Sequence, residues 1–290
     1  MTPMPDHNLD AHSALAERIA ALLEPLGGRT AVAARRVAPP ARMPSAAPEG
    51  ERQSSDSPAS IPLLAIRADD ELTAASLAKL PIAVELFRRA DLGQFDLSER
   101  CDTSGEPRAG GGGALDYLDP SVQLSLNDLC FLMLALSDNT AANFLLGLVG
   151  MGEVNHTLER LGLKHTRLAR RFMDMAARAA HRDNVTSASD MVTLLALLRG
   201  GALPGAVRLR EMLATQQRAD DLAAWLPATA SLAHKTGALD DAFHDAGILS
   251  GPAGVCVFCM MTADQADVAA ARIAVGRVLR ALWKDWCAGA

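Results

Sequence analysis

What most constrains this chain is where its hydrophobic period changes. Two strand-like runs, Thr30 to Val37 and Ile61 to Ile66, lie near the N-terminus. Three more, Ala230 to Thr236, Asp245 to Ser250 and Val255 to Thr262, follow one another near the C-terminus. Most of the sequence between them has helical spacing. A helix stands at each end. Asp10 to Leu26 carries Leu15, Ile19, Leu22, Leu23 and Leu26 and is stopped by Gly27-Gly28; Ala266 to Cys287 carries Val275, Val278, Leu279, Leu282 and Trp286 on one stripe. The order helix, two strands, many helices, three strands, helix predicts an α+β fold, a three-layer α/β/α sandwich. A five-stranded antiparallel sheet is covered by the N- and C-terminal helices, with an all-helical region inserted after the second strand. This divides the chain into 1–67 plus 226–290, the sandwich, and 68–225, the helical part. Ala38 to Ser60, rich in Pro, Ser, Ala and charge, is expected to be a disordered loop joining two neighbouring strands rather than a linker between domains.

Composition removes several classes. A net charge of −6 without a concentrated basic stripe argues against nucleic acid as the main partner. The N-terminus shows no cationic and apolar leader, and there is no membrane-length apolar run, so the expectation is a cytoplasmic protein, with no membrane partner. Five cysteines, an odd number, argue against a disulfide framework. Cys256-x-x-Cys259 falls within a strand, where residues three apart face opposite sides. Both are therefore expected in the core and not on a metal.

The chemistry-bearing stretch is Ala75-Ser76-Leu77-Ala78-Lys79. On a helix, residues i and i+3 share a face, so Lys79 stands beside the Ser76 hydroxyl. Serine is a weak nucleophile until a base takes its proton, and lysine serves as that base when burial leaves it neutral. The chain has only four lysines among 28 basic residues. Where arginine is the default cation, a lysine here suggests a group that must give up a proton. The helix Leu126 to Leu136 starts at a capping box, Ser125 with Asp128, is apolar on nearly every side and is therefore central. It ends at Ser137-Asp138-Asn139-Thr140, polar residues that either cap the next helix, Ala141 to Val149, or face a cleft. Arg88 to Tyr117 reads as irregular, and its glycine run Gly110 to Gly113 as a flexible connection, not a phosphate loop. Further helices are expected at Val154 to Leu161, Ser189 to Leu198 and Ala206 to Gln216. Asp174 and Asp183, in the polar connection Arg167 to Asn184, read as solvated charges or site carboxylates.

Ser76-x-x-Lys79, Ser137-Asp138-Asn139 and Lys235-Thr236-Gly237 stand in one order, and in that order the chain resembles the class A β-lactamase-like serine hydrolases, within the β-lactamase and penicillin-binding protein superfamily. The resemblance implies the β-lactamase-like fold, a site between the two parts, and no cofactor or metal. It also implies a small-molecule substrate carrying a carboxylate, and a monomer. It implies Ser76 as the acylated nucleophile, Lys79 as base and Ser137 as proton shuttle to the leaving nitrogen. Asn139 would bond the substrate amide, Lys235 and Thr236 would hold the carboxylate, and the backbone N–H groups of Ser76 and Ala238 would form the oxyanion hole. Asp138 would be structural. The chain departs from the family in two respects: the glutamate that activates the deacylating water is replaced by Phe172, with Asp174 the nearest carboxylate, and β-lactamases work outside the cytoplasm whereas no export signal is visible here. The expectation is an acyl-enzyme hydrolase acting on an amide, lactam or ester, slow on β-lactams. A binder that acylates and stalls, an acyltransferase and a scaffold without chemistry are the alternatives.

Overall fold

The computed structural model describes residues 7–37, 63–217, 222 and 224–289. The elements run α1 (His7–Leu23), β1 (Arg29–Val37), β2 (Leu63–Ile66) and β3 (Leu72–Thr73), then a 3₁₀ turn (Ala75–Ala78) leading into α2 (Lys79–Asp91). There follow β4 (Arg100–Asp102), β5 (Gln123–Ser125), α3 (Leu126–Ala135), α4 (Asn139–Val149), α5 (Met151–Arg160) and α6 (Met175–Ala179). The chain continues through β6 (Val185–Thr186), α7 (Ala188–Arg199) and α8 (Ala206–Ala214), and ends with β7 (Ser231–Leu239), β8 (Ala242–Gly251), β9 (Gly254–Ala263), α9 (Val268–Leu282) and a π turn (Trp283–Cys287). The expected loop Ala38 to Ser60 lies outside the described residues.

The five long strands form one antiparallel sheet in the order β2-β1-β9-β8-β7. Both its faces are buried, and the alternation of side chains sorts its residues between two cores. Ala31, Ala33, Ala246, Ile248, Val257, Cys259 and Met261 pack towards the helical side. Val32, Ala34, Phe243, Leu249, Cys256, Phe258 and Met260 pack under α1 and α9. Cys256 and Cys259 thus point to opposite faces, as their strand spacing requires. Among the described residues no group of three or more His, Cys, Asp or Glu is arranged to hold a metal ion, and no helix is long and apolar enough to cross a membrane.

On the helical side, α3 is buried through Leu126, Leu129, Cys130, Met133 and Leu134, and the Ser125–Asp128 capping box is formed in both directions. The stretch expected to be irregular, Arg88 to Tyr117, begins inside α2 and holds the strand β4, whose Arg100, Cys101 and Asp102 pair with Ser125, Leu124 and Gln123 of β5 beyond it. A three-residue strand carries too little periodicity to be read from sequence, and only its partner defines it.

His244 of β8 joins the sheet to the segment that leads to Ser76. Its Nε2–H donates to the Thr73 carbonyl at 2.8 Å, and its Nδ1 accepts from the Thr262 N–H at 3.2 Å. These two partners fix the tautomer and require the neutral ring. Burial pushes its pKa down to about 4 from 6.5. A histidine neutral in the fold but protonated when unfolded removes stability as pH falls from about 6.5 towards 4, on the order of 3 kcal/mol in all. Denaturant melts from pH 7 to 4 are expected to show this slope. In His244→Gln, which donates and accepts but does not titrate, the slope should flatten by about that amount.

Candidate active site

Ser76 lies in the 3₁₀ turn and Lys79 begins α2. In a 3₁₀ turn residues three apart eclipse, so the lysine comes directly under the serine. Lys79 Nζ is 3.1 Å from Ser76 Oγ, 3.0 Å from Ser137 Oγ, 2.7 Å from the Ser137 carbonyl oxygen and 2.7 Å from Asn139 Oδ1. Ser137 Oγ donates to Ser76 Oγ at 2.9 Å. Lys79 is fully buried, and so is Lys235. The two carbonyl oxygens can only accept and occupy two N–H groups of Lys79. What remains on the nitrogen faces two hydroxyls, which can accept a proton or give one. The amine can therefore be charged or neutral without any heavy atom moving, as a general base requires.

The turn between α3 and α4 does both things the sequence allowed. Asp138 caps α4: its Oδ1 accepts from the Ala141 N–H at 2.9 Å and its Oδ2 from the Leu115 N–H at 2.8 Å. Ser137 and Asn139, on either side of it, face the cleft. Ser137 takes a left-handed conformation, φ 58°, which a residue with a Cβ adopts at a cost. Ala75, before the nucleophile, is likewise at φ 45°.

The glycine run is not a flexible connection. Gly110 and Gly112 accept, through their carbonyls, from Asn139 Nδ2 at 2.9 Å and the Asn139 N–H at 3.3 Å. A Cβ on Gly113, which sits at φ 132°, would meet the Asp138 side chain. At Gly113 the absence of a side chain lets the run press against the turn that holds Ser137, whereas a Cβ on Gly110 would meet nothing within 4 Å.

Strand β7 brings the third group. A Cβ at Gly237 would lie 3.2 Å from the Ala75 Cβ and 3.3 Å from the Ser76 nitrogen, so glycine lets the strand press against the nucleophile's turn. Thr236 and Ala238 line the same cleft as Ser76, Ser137 and Asn139. Lys235 lies beneath this surface and its Nζ donates to the Thr236 carbonyl at 2.8 Å. The cleft has a volume of about 130 Å³.

Phe172 lines the cleft with its ring centroid 4.8 Å from Lys79 Nζ, a cation–π approach. Its backbone is held at both polar atoms by Asn143, whose Oδ1 accepts from the Phe172 N–H at 2.8 Å and whose Nδ2 donates to its carbonyl at 3.1 Å. Asp174 does not line the cleft. It is exposed and caps α6, accepting from the Ala177 N–H at 2.9 Å. Asp183 is half-buried and lies outside the cleft. It is ion-paired with Arg170 at 2.7 Å and Arg178 at 3.5 Å, and accepts from Thr73 Oγ1 at 2.9 Å.

Sequence reasoning missed Arg272, Phe243 and Leu239, which line the same cleft. The Arg272 guanidinium lies 4.7 Å from the centroid of the Phe243 ring. Arg272 comes from α9, far along the chain, and only the sheet's packing against that helix brings it here. It also missed Met173, Met175 and Gly111. A glycine run beside a polar inter-helix turn was the one available signal for the last of these.

A sequence profile of the β-lactamase enzyme family matches residues 52–286, most of the chain. The chain belongs to the β-lactamase enzyme family. It is 26% identical over 278 residues to the β-lactamase regulatory protein BlaB of Streptomyces cacaoi, covering 77% of this chain and 89% of that one. Among solved structures it is similar to a β-lactamase from Sphaerobacter thermophilus (27% identity, TM-score 0.78, covering 94% and 97% of the two chains). It is also similar to the protein PBP-A (25%, 0.77, 94% and 95%), a leucine-to-glutamate variant of which is known as an acyl-enzyme complex with penicillin G.

Removing the Asp138 carboxylate orphans two buried N–H groups. Asp138→Ala is expected to lower the unfolding free energy by about 2–4 kcal/mol in denaturant titration. Asp174→Ala, which removes only an exposed cap, should cost about 1 kcal/mol.

Proposed function

We propose that the protein is a serine hydrolase of the class A β-lactamase-like type that forms an acyl-enzyme at Ser76 on an amide, lactam or ester bond and releases β-lactam products slowly. The observation that carries this reading is the buried Lys79 nitrogen within 3.1 Å of Ser76 Oγ and 3.0 Å of Ser137 Oγ. Ser76 Oγ attacks the substrate carbonyl carbon and its proton passes to Lys79. As the carbon–nitrogen bond breaks, Ser137 passes a proton to the leaving nitrogen. The backbone N–H groups of Ser76 and Ala238 receive the developing oxyanion. Asn139 bonds the substrate amide. The Lys235 charge beneath Thr236, the Thr236 hydroxyl and Arg272 make the cleft suited to a substrate carboxylate.

Release of the acyl group needs a water molecule and a group to take its proton. Phe172 occupies the place where the family resemblance puts a glutamate, and a phenyl ring takes no proton. Its ring, lying over Lys79 Nζ, also shields the nitrogen that would otherwise serve. This favours a long-lived adduct, so that with β-lactams the protein behaves as a penicillin-binding protein does, acylated and slow to recover. The similarity to PBP-A, and to a protein that regulates a β-lactamase, fits this second reading of the same chemistry.

Intact mass spectrometry after incubation with penicillin G is expected to show one lasting adduct on the wild type and none on Ser76→Ala. Rapid turnover with no adduct would remove the slow-release reading. Lys79→Arg, which keeps the charge but not the proton transfer, should acylate ~10²–10⁴-fold more slowly. Phe172→Glu should shorten the lifetime of the adduct, read as faster return of free protein in the same assay.

A further inference from the structure

Two of three consecutive side chains reach from one loop to another beside the cleft, and the one between them turns to α2. Arg171 is ion-paired with Glu106, Phe172 covers Lys79, and Met173 lies against Gly111. Glu106 and Gly111 belong to the loop that runs past the Ser137 turn, whereas Arg171 to Met173 belong to the connection before α6. Glu106 keeps only 12% of its side chain exposed within this pair. Met173 sits at φ 64°, a left-handed conformation that costs a methionine energy and that needs a compensating contact. The contact is specific. A Cβ on residue 111 would lie 2.8 Å from Met173 Sδ, 2.9 Å from its Cε and 3.0 Å from Asn139 Nδ2. The thioether therefore fills the space that a side chain at position 111 would take, next to the amide that meets the substrate.

We propose that Glu106–Arg171 and Met173–Gly111 form a latch across the acyl side of the cleft. Resting on the acyl-enzyme reading above, it makes the protein selective for substrates whose acyl group beside the reacting carbonyl is small. The latch joins the two walls between which that group must lie, and its inner face is the end of Met173 next to Asn139. A slim acyl group passes beneath it. A bulky one enters only when the ion pair parts and Met173 leaves Gly111. Met173, Arg171 and Glu106 are thus specificity-determining residues that take no part in the proton transfers.

The test compares acylation rates of the full chain, by intact mass, with two penicillins: one bearing an acetyl-sized acyl group and one a bulky fluorescent acyl group. Wild type should prefer the small probe by about 10-fold or more, the range a steric pocket provides. Glu106→Gln and Arg171→Gln should each lower that preference about two- to five-fold, as loss of one half-exposed ion pair allows, and Met173→Ala should lower it further. The exchanged pair, Glu106→Arg with Arg171→Glu, should restore it. An unchanged preference in both single variants and in Met173→Ala overturns the latch. If neither probe forms an adduct on wild-type Ser76, the acyl-enzyme reading fails, and the latch is then decided by hydrogen exchange in residues 104–113. Protection lost in Arg171→Gln and regained in the exchanged pair supports it, and protection equal to wild type overturns it.

Discussion

The arrangement depends on a lysine nitrogen buried among fixed hydrogen-bond acceptors. An ammonium taken out of water needs its protons received by fixed dipoles. Here the nitrogen has the Ser137 carbonyl, the Asn139 side-chain oxygen and two hydroxyls within 3.1 Å, and the Phe172 ring on another side. All of those oxygens except Ser76 Oγ come from one turn between two helices, so the turn must hold its shape before the lysine can be buried. Asp138 holds it, bonding the α4 start on one side and the Leu115 backbone on the other. The apolar helices α3 and α4 and the glycine run complete the support.

Among the described residues, three of the six non-glycine residues with positive φ stand around the same point. Ala75, Ser137 and Met173 are all non-glycine residues with φ between 45° and 64°, and all three line the cleft. Each such residue costs on the order of 1 kcal/mol or more. Packing overrides that preference here: β7 presses on Ala75, Asp138 and the glycine run fix Ser137, and Met173 rests on Gly111. The segments so held bring four oxygens and one nitrogen within hydrogen-bonding distance.

The connection Arg167 to Asn184 shows how a polar segment without periodicity becomes ordered. Asn184 Oδ1 accepts from the Ala169 and Arg170 N–H groups, Asp183 pairs with Arg170, and Asn155 brackets Leu168 through its N–H and carbonyl. Asn143 does the same for Phe172. Side-chain amides stand in for strand partners, so the segment presents Phe172 to the site as firmly as a sheet would. Nothing in a single sequence marks an asparagine as such a clamp, because its partner is another residue's backbone.

The sequence by itself determined the sheet, its antiparallel character and its flanking helices. A strand buried on both faces or a helix with one apolar stripe writes its environment into its own residues. It determined the Ser76–Lys79 pair, since three residues of spacing place both on one face whatever surrounds them, and it placed Cys256 and Cys259 on opposite faces. Tertiary structure alone decided that Asp138 caps while its neighbours face the cleft, and that the glycine run is a wall. It also decided that Asp174 is spent on a short helix, and that Arg272 and Met173 reach the site at all. These outcomes depend on contacts between segments far apart in the chain. Local period and propensity carry no information about such contacts, because the energy that fixes them exists only once the segments have packed.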